Sequence, residues 1–129
     1  MKALYTATFE TDETGTFYAR VPDLPGCITT GRDLEDAIDL ITDAANLWLV
    51  AAEDHGDPIP SPTPQHELHC PDAVALTFIA VDTLAYRASI DSKAVRKSVS
   101  LPAWMAALAD QRGINCSQVL QDGLMEKFA

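Results

Sequence analysis

The 129 residues are 47% hydrophobic and 22% charged, a globular composition sized for one ordinary domain or two small ones. No apolar run approaches the length of a bilayer span, the start Met1-Lys2-Ala3-Leu4 has no signal-peptide core, and three cysteines (Cys27, Cys70, Cys116) show no metal spacing. A membrane protein and a disulfide scaffold are thereby excluded, and reduced thiols in a cytoplasm are expected.

A net charge of −10 spread evenly would repel nucleic acid. The charge is not even. Residues 1–92 hold four basic against sixteen acidic residues, net −12, whereas residues 93–129 hold five basic against three acidic, net +2. This split marks an acidic segment joined to a basic one.

Residues 2–10 mix β-branched and aromatic residues at a period near two and predict a strand. Asp12-Glu13-Thr14-Gly15 predicts a turn and 16–21 the returning strand of a hairpin. Pro22-Asp23-Leu24-Pro25-Gly26 is a rigid loop, with two prolines fixing φ. A short third strand follows from Cys27 to Thr30, ended by Gly31. Asp33 then suits a helix N-cap, with Glu35 and Asp36 in the first turn. Leu34, Ala37, Ile38, Ile41, Ala45, Trp48 and Ala52 recur at helical spacing and predict a long amphipathic helix over 34–54. Its outer stripe carries Glu35, Asp36, Asp39, Asp43 and Glu53.

Prolines 58, 60, 62 and 64 make a stiff extended connection. Residues 73–81 are nearly all apolar and predict a strand buried on both faces at the centre of a sheet. Residues 82–94 read as a domain boundary with a short turn at Ala85-Tyr86.

In Arg96-Lys97-Ser98-Val99-Ser100-Leu101-Pro102, polar and apolar residues alternate before a proline that opens a helix. The helix breaks at Gly113-Ile114-Asn115, and a second runs from about Ser117 to the end. A strand-helix-helix unit this small cannot bury its own apolar residues. A second copy would complete it, with Val99, Leu101, Trp104, Leu108, Leu120 and Leu124 as dimer core. Met105, Val119 and Phe128 would join them. Arg96, Ser98 and Ser100 would then project from a two-stranded ribbon, which fits the major groove of B-DNA. Asn115 is a candidate N-cap, and Ser117 stands where the helix start could hold a phosphate. This segment resembles the ribbon-helix-helix repressors, although Lys97 occupies a position where a second apolar ribbon residue is common.

The wider order also carries a resemblance. The hairpin, Pro22-Asp23-Leu24-Pro25-Gly26-Cys27, Thr29-Thr30-Gly31, Leu34-Glu35-Asp36-Ala37 and Asp57-Pro58-Ile59-Pro60-Ser61-Pro62 together resemble the HicB family of antitoxins. That resemblance implies an α+β fold. Residues 1–90 would form a partial ribonuclease-H-like sheet with one long helix, a toxin-neutralising domain. Residues 91–129 would form a ribbon-helix-helix DNA-binding domain. It also implies a HicA-like, mRNA-cleaving toxin as partner, operator DNA as a second, and a homodimer or higher homo-oligomer. The acidic residues Glu35, Asp36, Asp39 and Asp43 could meet a basic toxin surface.

Two other functions fit parts of the sequence. One is a stand-alone ribbon-helix-helix regulator whose N-terminal domain senses a ligand or protein. The other is a metal-dependent nuclease using Glu10 or Asp36, but the helix acids follow an outward stripe, and no converging set of carboxylates is legible. His66-Glu67-Leu68-His69-Cys70 offers possible ligands with no matching set elsewhere. Cys27 has no identified base. No catalytic site, metal or cofactor is expected.

Overall fold

A helix with one apolar stripe and a sheet with one apolar face bury each other, and this pairing builds the first part of the chain. The computed structural model describes all residues, Met1–Ala129. They form two compact units, Met1–Asp91 and Ser92–Ala129. No helix is long and apolar enough to cross a membrane.

The first unit contains strands β1 (Lys2–Thr11), β2 (Phe17–Arg20), β3 (Ile28–Gly31) and β4 (Ala75–Asp82), and helices α1 (Leu34–His55) and α2 (Thr83–Ile90). The sheet order is β3-β2-β1-β4, with every pair antiparallel. Register fixes which side chains share a face. Tyr5, Ala7 and Phe9 of β1, Ala19 of β2, and Ile79 and Val81 of β4 are buried with Ala37, Ile41, Ala45 and Leu49 of α1. Each large apolar side chain so buried contributes roughly 1.5–3 kcal/mol.

The start of α1 follows from its sequence. The Asp33 carboxylate accepts from the Asp36 amide at 2.8 Å, satisfying a donor that a helix start otherwise leaves free. At the other end Gly56 adopts φ +70° and donates to the Ala52 and Glu53 carbonyls. Gly31 permits the close approach of helix to sheet. A Cβ built there would lie 2.5 Å from the Ala37 nitrogen and 2.6 Å from its Cα.

Long-range polar contacts hold the loops. The Tyr5 hydroxyl donates to the Pro60 carbonyl, Asp23 accepts from both the amide and hydroxyl of Thr63, and the Trp48 indole donates to the Pro25 carbonyl. The proline-rich connection is therefore tied back to the sheet. Asn46, buried on α1, accepts from the Asp82 amide at 3.0 Å and locks the helix to the end of β4.

Within this unit three expectations differ from the structure. β4 is an edge strand, not a central one, and its residues alternate. Ile79 and Val81 face α1, while Leu76, Phe78 and Ala80 are exposed. An apolar run predicts burial on both faces, but nothing in this unit covers the second. Residues 83–90 form helix α2 rather than a boundary turn. Asp82 caps it by accepting from the Ala85 amide, and Arg87 reaches back to Asp54 at 2.7 Å and Glu53 at 3.5 Å on α1. Glu53 consequently faces a cluster with Arg87 and the Met1 amine rather than open solvent.

The second unit contains α3 (Ala103–Gln111) and α4 (Cys116–Phe128). Residues 96–101 form no strand in the single chain. A ribbon's ladder partners must come from another chain, so the alternation of these residues has nothing here to pair with.

Candidate partner and nucleic-acid interfaces

Helices α3 and α4 have few apolar neighbours to pack against, and none of their residues is fully buried. Pro102 starts α3 because its fixed φ suits a helix entry. The Asp110 and Leu108 carbonyls accept from Arg112 at its end, and Gly113 takes φ +64°. Asn115 then caps α4, accepting from the Gln118 amide at 3.1 Å. These signals fold the segment back on itself and bring one side of each helix together.

The product is an open apolar groove of about 390 Å³, lined by Val99, Leu101, Met105, Leu108, Leu120 and neighbouring residues. Val99, Leu101, Leu108 and Leu120 from the expected dimer core meet here. Trp104 and Leu124 do not line it and stay 65% and 43% exposed. Ala109 and Ile114 also line the groove. Sequence reading passed over them because alanine is neutral in a helical pattern and Ile114 lies in the interhelical turn. An unfilled apolar surface of this kind is a liability for a lone chain and an interface for an assembled one.

Arg96, Ser98 and Ser100 are all exposed, as is Ser117 on the first turn of α4. The Asn115 side chain is committed to the Gln118 amide. The amides of Cys116 and Ser117 precede any intrahelical acceptor and carry the positive end of the helix dipole.

On α1 the four acidic residues separate by environment. Glu35 and Asp39 are exposed without close partners. Asp36 accepts from the Arg32 amide at 2.9 Å and pairs with its Nε at 3.4 Å, and these bonds hold its carboxyl below the usual range. Asp43 is exposed beside Tyr86 of α2, whose phenol is pushed up by desolvation and then by this carboxylate. Part of the stripe is thus neutralised locally.

No three His, Cys, Asp or Glu side chains converge closely enough to hold a metal ion. Glu10 lies on the face of β1 opposite to the core and Asp36 lies on α1, so the sheet separates them. His66 sits in a single 3-10 turn (Gln65–Glu67) and is exposed. Cys27 is buried among apolar residues, and burial pushes its thiol up to about 11. Such a thiol is a poor nucleophile.

One surface was not read from the sequence at all. The face of the sheet away from α1 carries Leu4, Tyr18, Ile28, Leu76 and Phe78, each between 40% and 58% exposed. The signal was present in the period-two pattern of β4, which places Leu76 and Phe78 opposite Ile79 and Val81.

Comparison with known proteins gives these features a context. The model of the family described as HicB-like antitoxin of bacterial toxin-antitoxin systems matches residues 5–127. A UPF0150 protein of Thermoplasma acidophilum is 34% identical over 56 residues, 43% of this chain and 81% of that protein. The fold resembles a chain from a toxin-antitoxin complex of Streptococcus pneumoniae, with TM-score 0.61 and 20% identity over 98% of this chain and 99% of that one. It also resembles the antitoxin HicB of Burkholderia pseudomallei, with TM-score 0.55 and 23% identity over 97% and 96% of the two chains. Such identities speak to the fold, whereas the family match spans nearly the whole chain. The protein belongs to the HicB-like antitoxin family of bacterial toxin-antitoxin systems.

Proposed function

We propose that this antitoxin neutralises a HicA-like, mRNA-cleaving ribonuclease through its N-terminal unit and represses its own operon through its C-terminal unit. The observation that carries the reading is the family match over residues 5–127, which takes in both units. The Streptococcus chain that this one resembles comes from a toxin-antitoxin complex. In this reading residues 1–90 block the toxin, by covering its catalytic residue or by excluding RNA. The charge fits that role, because a net −12 segment attracts a basic RNA-cleaving protein. Glu35 and Asp39, with Asp36 and Asp43 beside them, contribute to that attraction.

The C-terminal unit pairs with a second copy over the Val99–Leu101–Leu108–Leu120 groove. Pairing aligns residues 96–101 of two chains as an antiparallel ribbon, and places Arg96, Ser98 and Ser100 toward the major groove. Arg96 can make two parallel hydrogen bonds to guanine, and the serines can donate or accept at several bases. The start of α4 at Cys116 and Ser117 supports a phosphate on either side. Two-fold symmetry in the protein then requires a palindromic operator. The protein acts in the cytoplasm, as a non-enzymatic binder without a cofactor.

Co-expression with the adjacent short reading frame tests this function. The frame alone should arrest growth, and this chain should restore growth and co-purify with its product. A harmless neighbour that does not bind would favour the stand-alone regulator, still dimeric and still DNA-binding.

A further inference from the structure

A four-stranded sheet covered by a helix on one side leaves its other side to water or to a partner. In the first unit α1 covers one side completely, since Tyr5, Ala7, Ala19 and Ile41 have no exposed surface. The other side is populated in register. Leu4 stands opposite Ala80, Thr6 opposite Phe78, and Thr8 opposite Leu76. On the far side of β1, Thr8 pairs with Arg20, and Arg20 with Ile28. An apolar strip therefore runs along β1 and β4 through Leu4, Phe78 and Leu76, and Thr8 and Arg20 separate it from Ile28 on β3.

The β4 edge of this surface lacks the devices that usually protect one. Native sheets blunt open edges with charges, prolines or bulges. β4 is an edge strand of eight residues with no proline and no charge before Asp82. Phe78 is 55% exposed and Leu4 58%. Thr6, directly opposite Phe78, is 1% exposed, with a buried hydroxyl that has no hydrogen-bond partner. A contiguous apolar patch on a sheet marks a binding surface more often than a solvated one.

Charge decides what binds there. The unit carries four basic and sixteen acidic residues. Glu10 occupies the same face as Thr8, and a recess of about 260 Å³ beside them is lined by Arg20, His69 and Asp72 as well. Lys2 is paired to Asp82 at 3.7 Å, which leaves exposed Arg20, near Glu10, as the one cation on this face without an ion pair. A nucleic acid is repelled, and a second copy of this unit would bring net −12 against net −12. A basic protein with an apolar centre meets neither penalty.

We infer that the open face of the sheet, centred on Leu4, Phe78 and Leu76, is the surface on which the basic toxin docks. This rests on the antitoxin reading above and deepens it. The acidic stripe of α1 lies on the opposite side of the sheet, so attraction and contact are separate roles. Exposed acids on α1 raise the encounter rate, and the sheet face holds the complex together.

The test uses the full chain and the purified product of the adjacent reading frame, with affinity and association rate read by surface binding. Phe78→Ser and Leu4→Ser remove apolar surface without adding charge, and both sites are exposed enough to keep the fold. Each should weaken binding by roughly thirtyfold through faster dissociation, as loss of a central anchor does. The pair Glu35→Lys and Asp39→Lys should slow association about three- to tenfold at low salt and leave dissociation unchanged. Unaltered affinity in both serine variants overturns the inference while the antitoxin reading stands. Loss of affinity on the α1 variant through faster dissociation also overturns it, and moves the contact to the helix. A change in sedimentation of Phe78→Ser without toxin would show a self-interface instead. No binding by the unmodified chain would remove the antitoxin reading, and the inference with it.

Discussion

Replacing Gly31 with Ala tests whether the first unit is built as described. The added Cβ would meet the Ala37 nitrogen at 2.5 Å, its Cα at 2.6 Å and its Cβ at 2.8 Å. Two of these atoms are helix backbone, held by the Asp33 cap and the Asp33 carbonyl, which accepts from the Ala37 amide at 3.0 Å. Relief requires α1 to move away from β3, loosening the packing of Ala37 and Ile41. Overpacking with flexible neighbours costs about 1–3 kcal/mol, so a backbone clash should lie at the top of that range, about 3 kcal/mol. At a urea dependence of about 1.5 kcal/mol per molar, the midpoint would fall by roughly 2 M. Each unit holds one tryptophan, Trp48 in the first and Trp104 in the second. Urea titration in a Trp104→Phe background, read by Trp48 fluorescence, therefore reports the first unit alone. The double change Gly31→Ala with Ala37→Gly should rescue little, because it removes only the Cβ contact. A loss below about 0.5 kcal/mol, or full rescue by Ala37→Gly, would refute the argument.

Asp12 accepts from the Thr14 hydroxyl at 2.6 Å and the Tyr18 hydroxyl at 2.8 Å, and these bonds hold its carboxyl down to about 2. Its folded value lies below the unfolded value of about 3.9, so the stabilisation is complete above about pH 4 and is lost toward pH 2. The difference in thermal midpoint between the natural chain and Asp12→Ala should shrink over that window, and a difference constant with pH would contradict it. Cys27, raised to about 11 by burial, should resist iodoacetamide at pH 8 until urea unfolds the chain, as mass spectrometry can show, and labelling at the same rate with and without urea would contradict it. Leu108→Asp places a charge in the apolar groove and should weaken self-association by roughly two orders of magnitude in sedimentation, without unfolding the first unit. Arg96→Ala should cost about 1–3 kcal/mol of operator affinity and relax preference at one base pair, as gel-shift titration against mutated operators would read.

What the sequence disclosed depended on whether the cause was local. Asp33, Asn115 and Gly56 mark helix ends through their own side chains or backbone freedom, and α1 and α4 start within one residue of where these signals place them. The hairpin and the short third strand were legible for the same reason. β4 was misplaced because an apolar run reports only that its residues avoid water, not how many neighbours the sheet supplies. Leu76 and Phe78 look like core in the sequence and stand exposed in the fold. Helix α2 was missed because its stability comes from tertiary contacts. Arg87 bridging to Asp54 and the Asp82 cap are separated from their partners or masked by the preceding strand. The alternation over residues 96–101 was visible, yet a strand needs a ladder partner and the single chain supplies none. Among the candidate site residues, Val99 and Leu101 alternate onto one side of an extended segment while Leu108 and Leu120 come from two helices that the turn at Gly113 brings together, whereas Trp104 and Leu124 lie outside that groove and stay exposed.

The most direct measurement is a titration of the proposed toxin, the product of the adjacent short reading frame, with this chain, following cleavage of a labelled mRNA. Cleavage should fall in proportion to added protein and stop at a fixed molar ratio, as tight one-to-one blocking requires. Undiminished cleavage at a large excess of folded protein would contradict the antitoxin function.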